Sequence, residues 1–261
     1  MQALLLDMDG VLYNAAQPLP GAADALAWVR HRNIPHLFLS NTSSRDRAAL
    51  VAKLATFGIP ATEDQILTPA VAAAAFLRRS AAGPAALFLR PAARPEFAGI
   101  PTLGDTAEQG AAHVVIGDLG DQWDYRTLNR AFRLLHHNPQ AHLIALGMTR
   151  YWMAPDGISL DVAPFVAALA HATGREPIVF GKPAAPFFHE AAAGLALPPN
   201  QILMIGDDIE SDVRGAQTAG LRAALVKTGK YRPADLDRGI RPDAVWDSIA
   251  DLPARWPLSE P

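Results

Sequence analysis

Two aspartates follow a short apolar run near the start of the chain. The run Ala3–Leu6 is typical of a buried strand, and Asp7 and Asp9 come directly after it. In open α/β sheets ligands bind beyond the carboxyl ends of the strands, so this strand would deliver both carboxylates to a binding position. A D-x-D-G sequence is also common as a turn closed by an aspartate side chain. The pair alone therefore leaves catalysis and turn formation open.

Hydroxyl and amide side chains stand at the end of a second apolar run, Leu37–Leu39. Ser40 and Asn41 follow it, and a helical pattern begins soon afterwards. A helix N-terminus carries unpaired N–H groups and favours negative charge, so this segment is suited to phosphate oxygens. Helix capping is the alternative use of such residues. We expect Ser43 and Ser44 to cap the helix and Ser40 and Asn41 to face the site.

Two later apolar runs end in charged residues. Lys182 follows Ile178–Phe180, where it could neutralise a carboxylate and a phosphate together. The run Ile202–Ile205 is soon followed by a group of acids, Asp207, Asp208, Glu210 and Asp212. Such a density of carboxylates is repulsive unless a cation offsets it. Because the donors offered are oxygens, with no histidine motif or thiolate nearby, the pattern favours Mg²⁺.

The composition excludes several other classes of protein. The 261 residues contain no cysteine, which rules out disulfides, thiolate metal sites and a cysteine nucleophile. The formal net charge of −3 gives no basic footprint for nucleic acid or an anionic membrane. The N-terminal apolar run is too short for a signal peptide or a membrane span. We therefore expect a cytoplasmic protein with no nucleic-acid or membrane partner.

Short apolar runs alternate with helical periods along most of the chain. This βαβα pattern predicts an α/β protein with a Rossmann-like parallel sheet core covered by helices. Three later runs are expected in the same sheet as the first two, namely Ile178–Phe180, Ile202–Ile205 and Ala223–Val226. A stretch between loop-prone segments has strands and helices of its own, which indicates an inserted α/β domain. The predicted division is a core of residues 1–80 and 175–261 and an insert of residues 81–174.

Four motifs, each after a predicted strand, occur in the order D-x-D-G-V-L, S-N-T, G-K-P and G-D-D-x-x-x-D. In this order they resemble the haloacid dehalogenase superfamily of aspartate-nucleophile phosphatases. The insert resembles the α/β cap of subclass IIA, which includes p-nitrophenyl phosphatases and pyridoxal phosphatase. Segments Leu143–Trp152, Leu160–Phe165 and Val226–Pro233 are most similar to the phospholysine phosphohistidine inorganic pyrophosphate phosphatase group and its near relatives. The similarity covers nearly the whole chain.

The resemblance implies a role for each matched residue. Asp7 would attack phosphorus and form an aspartyl phosphate. Asp9 would protonate the leaving oxygen and then activate the water that hydrolyses the intermediate. Ser40 and Asn41 would bind the phosphoryl oxygens, and Lys182 would steady Asp7 and the transferring group. The implied activity is hydrolysis of a small phosphorylated substrate.

The resemblance also implies a Mg²⁺ site. Its ligands would be the Asp7 carboxylate, the Asp9 backbone carbonyl and Asp207, and the ion would screen anions that otherwise repel one another. Asp212, together with Asp208, would support these ligands without binding the ion directly.

Two positions depart from the family pattern. Ser40 stands where many relatives have threonine, and the exchange keeps the hydroxyl. Asp9 stands where the phospholysine phosphohistidine phosphatases carry serine. Cleavage of phosphohistidine or pyrophosphate is therefore left open, as is the natural substrate.

The inserted domain is expected to supply the substrate contacts. Arg150, Tyr151 and Trp152 are the candidates, because guanidinium groups and aromatic faces pair with or stack on small ligands. Tyr151 and Trp152 could instead pack the domain itself or a homodimer interface formed through it. A further alternative concerns function, since a phospho-accepting signalling or binding module on a similar fold would use the same residue types without turnover.

Overall fold

A computed structural model describes residues 1–43, 46–80, 82–154 and 157–256 of the chain. The chain divides into two compact units, the first made of Met1–Ser40, Arg47–Leu67 and Lys182–Pro261 and the second of Asn41–Asp46 and Thr68–Gly181. Both are α/β units, and the predicted parallel core sheet with an inserted α/β domain is confirmed.

Strands and helices alternate along the chain. The strands are β1 (Ala3–Asp7), β2 (Tyr13–Asn14), β3 (Gln17–Pro18), β4 (His36–Leu39), β5 (Ile66–Leu67), β6 (Ala85–Phe88), β7 (His113–Ile116), β8 (His142–Ala145), β9 (Tyr151–Ala154), β10 (Gly157–Leu160), β11 (Ile178–Val179), β12 (Ile202–Gly206), β13 (Arg222–Val226) and β14 (Ala244–Trp246). The α-helices are α1 (Ala22–His31), α2 (Arg47–Thr56), α3 (Pro69–Arg79), α4 (Tyr125–His137), α5 (Val162–Thr173), α6 (Ala185–Leu195), α7 (Gly215–Thr218) and α8 (Leu252–Arg255). Short 3₁₀ turns cover Glu63–Gln65, Pro91–Phe97, Gly120–Gln122, Pro199–Gln201, Pro233–Asp237 and Ile249–Asp251, and a π-helical turn covers Ile209–Arg214.

The first unit is built on a parallel sheet with the strand order β14-β13-β12-β1-β4-β5. Strand β1 lies inside this sheet, and all of its residues are buried. Leu4 and Leu6 pack in one hydrophobic core with Leu26 and Val29 of α1. Burial on both faces explains why such strands appear in the sequence as continuous apolar runs rather than alternating ones.

The segment after Asp208 forms the π-helical turn, Ile209–Arg214, followed directly by α7. The carboxylate of Asp208 starts the turn, because its Oδ1 accepts hydrogen bonds from the backbone N–H groups of Glu210 and Ser211, each at 3.0 Å. Single π-helical turns are frequent at functional sites. This one carries Asp212.

The second unit is built on a parallel sheet with the strand order β11-β8-β7-β6, and β9 and β10 form an antiparallel hairpin. Its core includes an aromatic stack in which the ring of Trp123 lies 5.9 Å from that of Phe88 and 4.6 Å from that of Phe165. Helix α3 also belongs to this unit, where Phe76 packs on Phe180 with ring centroids 5.3 Å apart. The predicted boundary between core and insert, at residue 81, lies after α3, so the prediction assigns this helix to the core.

The prediction that Ile178–Phe180 is a strand of the core sheet is wrong. β11 instead pairs in parallel with β8 of the second unit, with Ile178 opposite Ile144 and Val179 opposite Ala145. The backbone N–H of Phe180 continues this pairing by donating to the carbonyl of Ala145 at 2.8 Å. An apolar run indicates that a strand is buried but not which sheet receives it.

Candidate active site

Neighbouring strand ends of the first unit place three of the predicted site residues at one edge of the sheet. Asp7 is the last residue of β1 and is paired in register with Leu39 of β4, so Ser40 follows at the adjacent strand end. On the other side of β1, strand β12 ends at Gly206, and Asp207 follows it. This is the carboxyl edge at which open α/β sheets bind ligands.

Lys182 is a buried cation that bridges two buried carboxylates. Its Nζ lies 2.6 Å from Asp7 Oδ1 and 2.6 Å from Asp212 Oδ1. Burial alone would lower the pKa of Lys182, but the charges of Asp212 and Asp7 outweigh that effect and raise it. The lysine is therefore held in its charged form between the two acids.

Both oxygens of the Asp212 carboxylate accept hydrogen bonds. Its Oδ1 accepts from Lys182, and its Oδ2 accepts from the backbone N–H groups of Asp207 at 3.2 Å and Asp208 at 3.1 Å. Burial raises the pKa of Asp212 to about 6, against the opposing charge of Lys182. Asp212 thus links the lysine to the backbone that carries Asp207.

Asp7 lies in an environment that disfavours its negative charge. Burial raises the pKa of Asp7, and the nearby Asp207 adds to this rise, while the charge and hydrogen bond of Lys182 oppose it. A nucleophilic carboxylate must be ionised to attack, so the lysine contact is what sustains the reactive form in this buried position.

The two carboxylate oxygens of Asp207 differ in their hydrogen bonding. Its Oδ2 accepts a hydrogen bond from the backbone N–H of Lys230 at 2.6 Å. Its Oδ1 is buried and has no hydrogen-bond partner among the described residues. Burial raises the pKa of Asp207, as expected for a carboxylate that lacks sufficient compensation. A buried acceptor without a partner is costly, which suits an atom whose partner is a ligand.

The carboxylates of Asp7, Asp207 and Asp212 form a cluster that fits a cation. One oxygen from each lies within 4.8 Å of the others. Since the hydrogen bonds of Asp212 occupy both of its oxygens, Asp7 and the unbound Oδ1 of Asp207 are the better candidate ligands. A site offering carboxylate oxygens is of the kind that Mg²⁺ and other hard cations occupy.

Two of the predicted acids lie outside this buried cluster. Asp9 is exposed, and its Oδ1 accepts a weak hydrogen bond from the backbone N–H of Ala15 at 3.4 Å. Asp208 is partly buried and starts the π-helical turn, and its Oδ2 lies 3.5 Å from Lys230 Nζ. Burial works to raise the pKa of Asp208, but backbone hydrogen bonds and the charge of Lys230 lower it overall. Asp208 joins the cluster through its backbone N–H and not through its carboxylate.

The segment after β4 contains the two predicted phosphate-binding residues. Ser40 is partly buried and its N–H donates to the carbonyl of Leu67 at 3.1 Å, whereas Asn41 is exposed. Helix α2 begins at Arg47, so Ser43 stands too far ahead of it to cap its first turn, which corrects that expectation. Ser44 lies outside the described residues.

Two cavities of the second unit share lining residues. The larger, of about 470 Å³, is lined by Arg90, Asp118, Gly120, Asp121, Trp123, Trp152, Ser159, Leu160, Asp161 and Phe165. The smaller, of about 170 Å³, is lined by Asn41, Thr42, Ser43, Asp118, Trp152 and Asp161. Trp152 therefore shares a cavity with Asn41, one of the residues predicted to bind the phosphoryl group.

The three residues predicted to contact substrate differ in their placement. Arg150 and Tyr151 are exposed, and neither lines these two cavities. Trp152 lines both and is 42% exposed. Along a strand, successive side chains point to opposite faces, so Tyr151 and Trp152 belong to different faces of the β9–β10 hairpin.

The loop Thr228–Lys230 contacts Asp207 and the turn after Asp7, a role that was not predicted. From sequence, this segment is marked only by its resemblance to a family. Lys230 contributes a backbone N–H, a group that all residues except proline possess, so its residue type carried no signal. The signal in the sequence is the presence of glycine at positions 10 and 229. The structure explains it, because both residues have positive φ angles and lie close to Asp207.

Two family models match the chain. One described as "Haloacid dehalogenase-like hydrolase" matches residues 4–99, and one described as "HAD-hyrolase-like" matches residues 179–252. Together they include the strand ends that carry Asp7, Ser40 and Asp207. Among the helices in the described part of the chain, none is long and apolar enough to cross a membrane.

Named relatives align with nearly the whole chain. Haloacid dehalogenase-like hydrolase domain-containing protein 2 of Bos taurus is 39% identical, over 91% of this chain and 88% of its own. The phospholysine phosphohistidine inorganic pyrophosphate phosphatase of Homo sapiens is 35% identical, over 96% of this chain and 92% of its own. A solved structure, the p-nitrophenyl phosphatase from Archaeoglobus fulgidus, is 27% identical with a TM-score of 0.85, over 96% of this chain and 97% of that one.

Proposed function

This chain belongs to the haloacid dehalogenase superfamily of hydrolases, and from that premise we propose that it is a Mg²⁺-dependent phosphatase that hydrolyses a small phosphorylated metabolite through an aspartyl phosphate on Asp7. The observation that carries the proposal is the ion pair at 2.6 Å between Lys182 and Asp7 at the carboxyl edge of the sheet. The relatives named as phosphatases support the same reaction class.

In the first step an oxygen of the Asp7 carboxylate attacks phosphorus. A new bond joins that oxygen to phosphorus while the bond from phosphorus to the leaving oxygen breaks, and Asp9 donates a proton to the leaving oxygen. Asp9 is exposed, so it can exchange protons with solvent between steps. Lys182 lies beside the attacking carboxylate and offsets negative charge as the phosphoryl group arrives.

In the second step Asp9 accepts a proton from a water molecule that attacks phosphorus. The bond between Asp7 and phosphorus then breaks, inorganic phosphate leaves, and both aspartates return to their starting forms. Ser40 and Asn41 hold the phosphoryl oxygens through both steps. Their position after β4, the strand that pairs with β1, supports this role.

Mg²⁺ is the cation that we propose for the acidic cluster. The Asp7 carboxylate, the Asp9 backbone carbonyl and Asp207 would hold it, with Asp212 and Asp208 orienting the surrounding groups. When bound, the ion neutralises part of the charge on the carboxylates and the phosphoryl group, so that anions can approach one another. The buried Oδ1 of Asp207, which has no hydrogen-bond partner among the described residues, supports this assignment.

We expect the purified protein to hydrolyse p-nitrophenyl phosphate only when a divalent cation is present. Removal of the cation by a chelator should abolish the release of p-nitrophenolate, measured by absorbance, and excess Mg²⁺ should restore it. Full turnover in the chelator would contradict the metal dependence. A single release of product per chain, followed by arrest, would instead indicate a phospho-accepting module. A screen of pyridoxal phosphate, phosphoglycolate, pyrophosphate and phosphohistidine would then define the substrate.

The β9–β10 hairpin offers one face to substrate and the other to a second copy of the chain. Trp152 lines a cavity together with Asn41, which follows Ser40 directly in the sequence, and this supports a contact with the part of the substrate beyond phosphorus. Tyr151 and Ile158 are 55% and 70% exposed on the opposite face, which supports a homodimer through this unit.

The two faces of the hairpin predict different effects of substitution. Trp152→Ala should raise KM for the natural substrate several-fold with little change in sedimentation, because it removes a cavity wall. Ile158→Lys should shift sedimentation toward monomer with little change in KM, because it places a charge in an apolar contact. Leu236→Lys, at an exposed apolar residue of the first unit, is the control for the added charge. An unchanged KM in Trp152→Ala, or an unchanged association state in Ile158→Lys, would refute the corresponding role.

A further inference from the structure

The carboxylate of Asp207 is enclosed by backbone from two separate segments. The N–H of Lys230 donates to its Oδ2 at 2.6 Å. Gly10, in the turn after β1, and Gly229, in the loop after β13, both lie against the same oxygen. A Cβ added to either glycine would overlap Oδ2. The position of this carboxylate is therefore fixed by contacts that only residues without a side chain allow.

The two enclosing segments are also joined to each other. The hydroxyl of Thr228 donates to the carbonyl of Gly10 at 2.5 Å. Gly10 is in turn fixed by its own N–H, which donates to the carbonyl of Tyr13 at 2.7 Å. The loop Thr228–Lys230 thus connects the turn that follows Asp7 to the carboxylate that follows β12.

We propose that the loop Thr228–Lys230 is a positioning device for the metal ligand Asp207. By holding Oδ2 it directs Oδ1, the oxygen that has no hydrogen-bond partner among the described residues, toward the cation. The inference rests on the proposed Mg²⁺ site and adds the residues that orient it. Groups that orient a ligand in this way commonly change metal affinity by about 10- to 100-fold when they are altered.

Backbone conformation alone is a simpler explanation for the presence of a glycine at position 229. Its φ is 61°, in the left-handed region that favours glycine. Gly239, in the same unit, has a φ of 77°, and a Cβ added there would meet nothing within 4 Å. An alanine at either position therefore carries a similar backbone strain, but only the alanine at position 229 contacts Asp207. The two glycines form a matched pair that separates strain from ligand positioning.

The test is calorimetric titration of Mg²⁺ into the unaltered protein, Gly229→Ala and Gly239→Ala, with melting temperatures measured in chelator. We expect both variants to lose melting temperature through the shared backbone strain, and Gly229→Ala to lose more, because its Cβ also overlaps Asp207 and the backbone of Gly10. Affinity for Mg²⁺ should fall about tenfold or more in Gly229→Ala and stay close to the original value in Gly239→Ala. Equal affinities in the two variants would overturn the proposal.

A second pair of variants covers the case in which Gly229→Ala does not fold. Thr228→Val removes the hydroxyl bond to Gly10 while keeping the side-chain shape, and Thr228→Ser restores the hydroxyl. The valine variant should bind Mg²⁺ more weakly and the serine variant should recover most of the affinity. A valine variant that binds as the unaltered protein does would contradict the role of the loop.

Asp207→Asn separates this inference from the proposed function. If the unaltered protein binds Mg²⁺ and Asp207→Asn binds it far more weakly, the metal site stands, and the loop variants then decide the role of the loop alone. If the unaltered protein binds no Mg²⁺, the metal site and the inference built on it are both overturned.

Discussion

Replacing Asp7 with asparagine is expected to reduce phosphatase turnover by roughly 10⁴-fold or more, because the amide cannot form the bond to phosphorus. The change is nearly isosteric and keeps an oxygen that can accept the hydrogen bond from Lys182. Turnover of p-nitrophenyl phosphate at saturating Mg²⁺ is the measurement. Activity within tenfold of the unaltered enzyme would refute the nucleophilic role.

The same variant should not be less stable than the unaltered protein when Mg²⁺ is absent. Burial raises the pKa of Asp7 in the folded state, which means that ionising this carboxylate costs more there than in the unfolded chain. A neutral amide removes this cost. Melting temperatures in chelator therefore provide the control, since a large fall would show that lost activity reflects lost structure.

Replacing Lys182 with methionine is expected to remove activity and to destabilise the fold together. Lys182 pairs with Asp7 and Asp212 at 2.6 Å each, and its side chain is 4% exposed. Removing one partner of a buried charge network typically costs about 3–5 kcal/mol, because the remaining charges stay buried without compensation. Chemical unfolding, monitored by circular dichroism in chelator, measures this free energy.

Two further variants make the interpretation of Lys182→Met specific. Lys227 pairs with Asp247 at 2.8 Å on the surface, so Lys227→Met should change the free energy of unfolding very little. Adding Asp212→Asn to Lys182→Met should recover part of the lost stability, because it removes one of the two uncompensated acids. Equal losses in Lys182→Met and Lys227→Met would contradict a buried structural charge at position 182.

The position of the main candidate residues could be predicted because it depends on local sequence and on one rule of sheet geometry. Asp7 and Asp207 each follow an apolar run, and parallel strands that are neighbours bring their carboxyl ends to the same edge. The density of acids that follows β12 also predicts a cation. These signals are contained within segments of a few residues.

Sheet membership could not be predicted in the same way. β11 is two residues long and apolar, and it would suit the edge of either parallel sheet. Its pairing with β8 depends on contacts with residues more than thirty positions away, such as Ile144. β5 was not predicted either, because a strand of two residues leaves almost no periodic signal.

The roles of individual backbone groups could not be predicted from the sequence either. The N–H of Lys230 that holds Asp207 exists in every residue except proline, so side-chain chemistry could not single it out. The lysine side chain itself points to a different use, since its Nζ lies 3.5 Å from Asp208. Glycine is the better sequence marker for such contacts, because it allows close approach of the backbone. Gly229 is an example, since the structure leaves no room for a Cβ there.

Chemical trapping of the phosphoryl group on Asp7 would detect the proposed covalent intermediate itself. The enzyme is mixed with excess substrate and Mg²⁺, quenched in acid within milliseconds, digested, and its peptides are examined by mass spectrometry. We expect one added phosphoryl group on the peptide that contains Asp7, lost on mild alkaline treatment and absent from Asp7→Asn. Rapid turnover with no phosphoryl group at Asp7, or with the group on another residue, would contradict it.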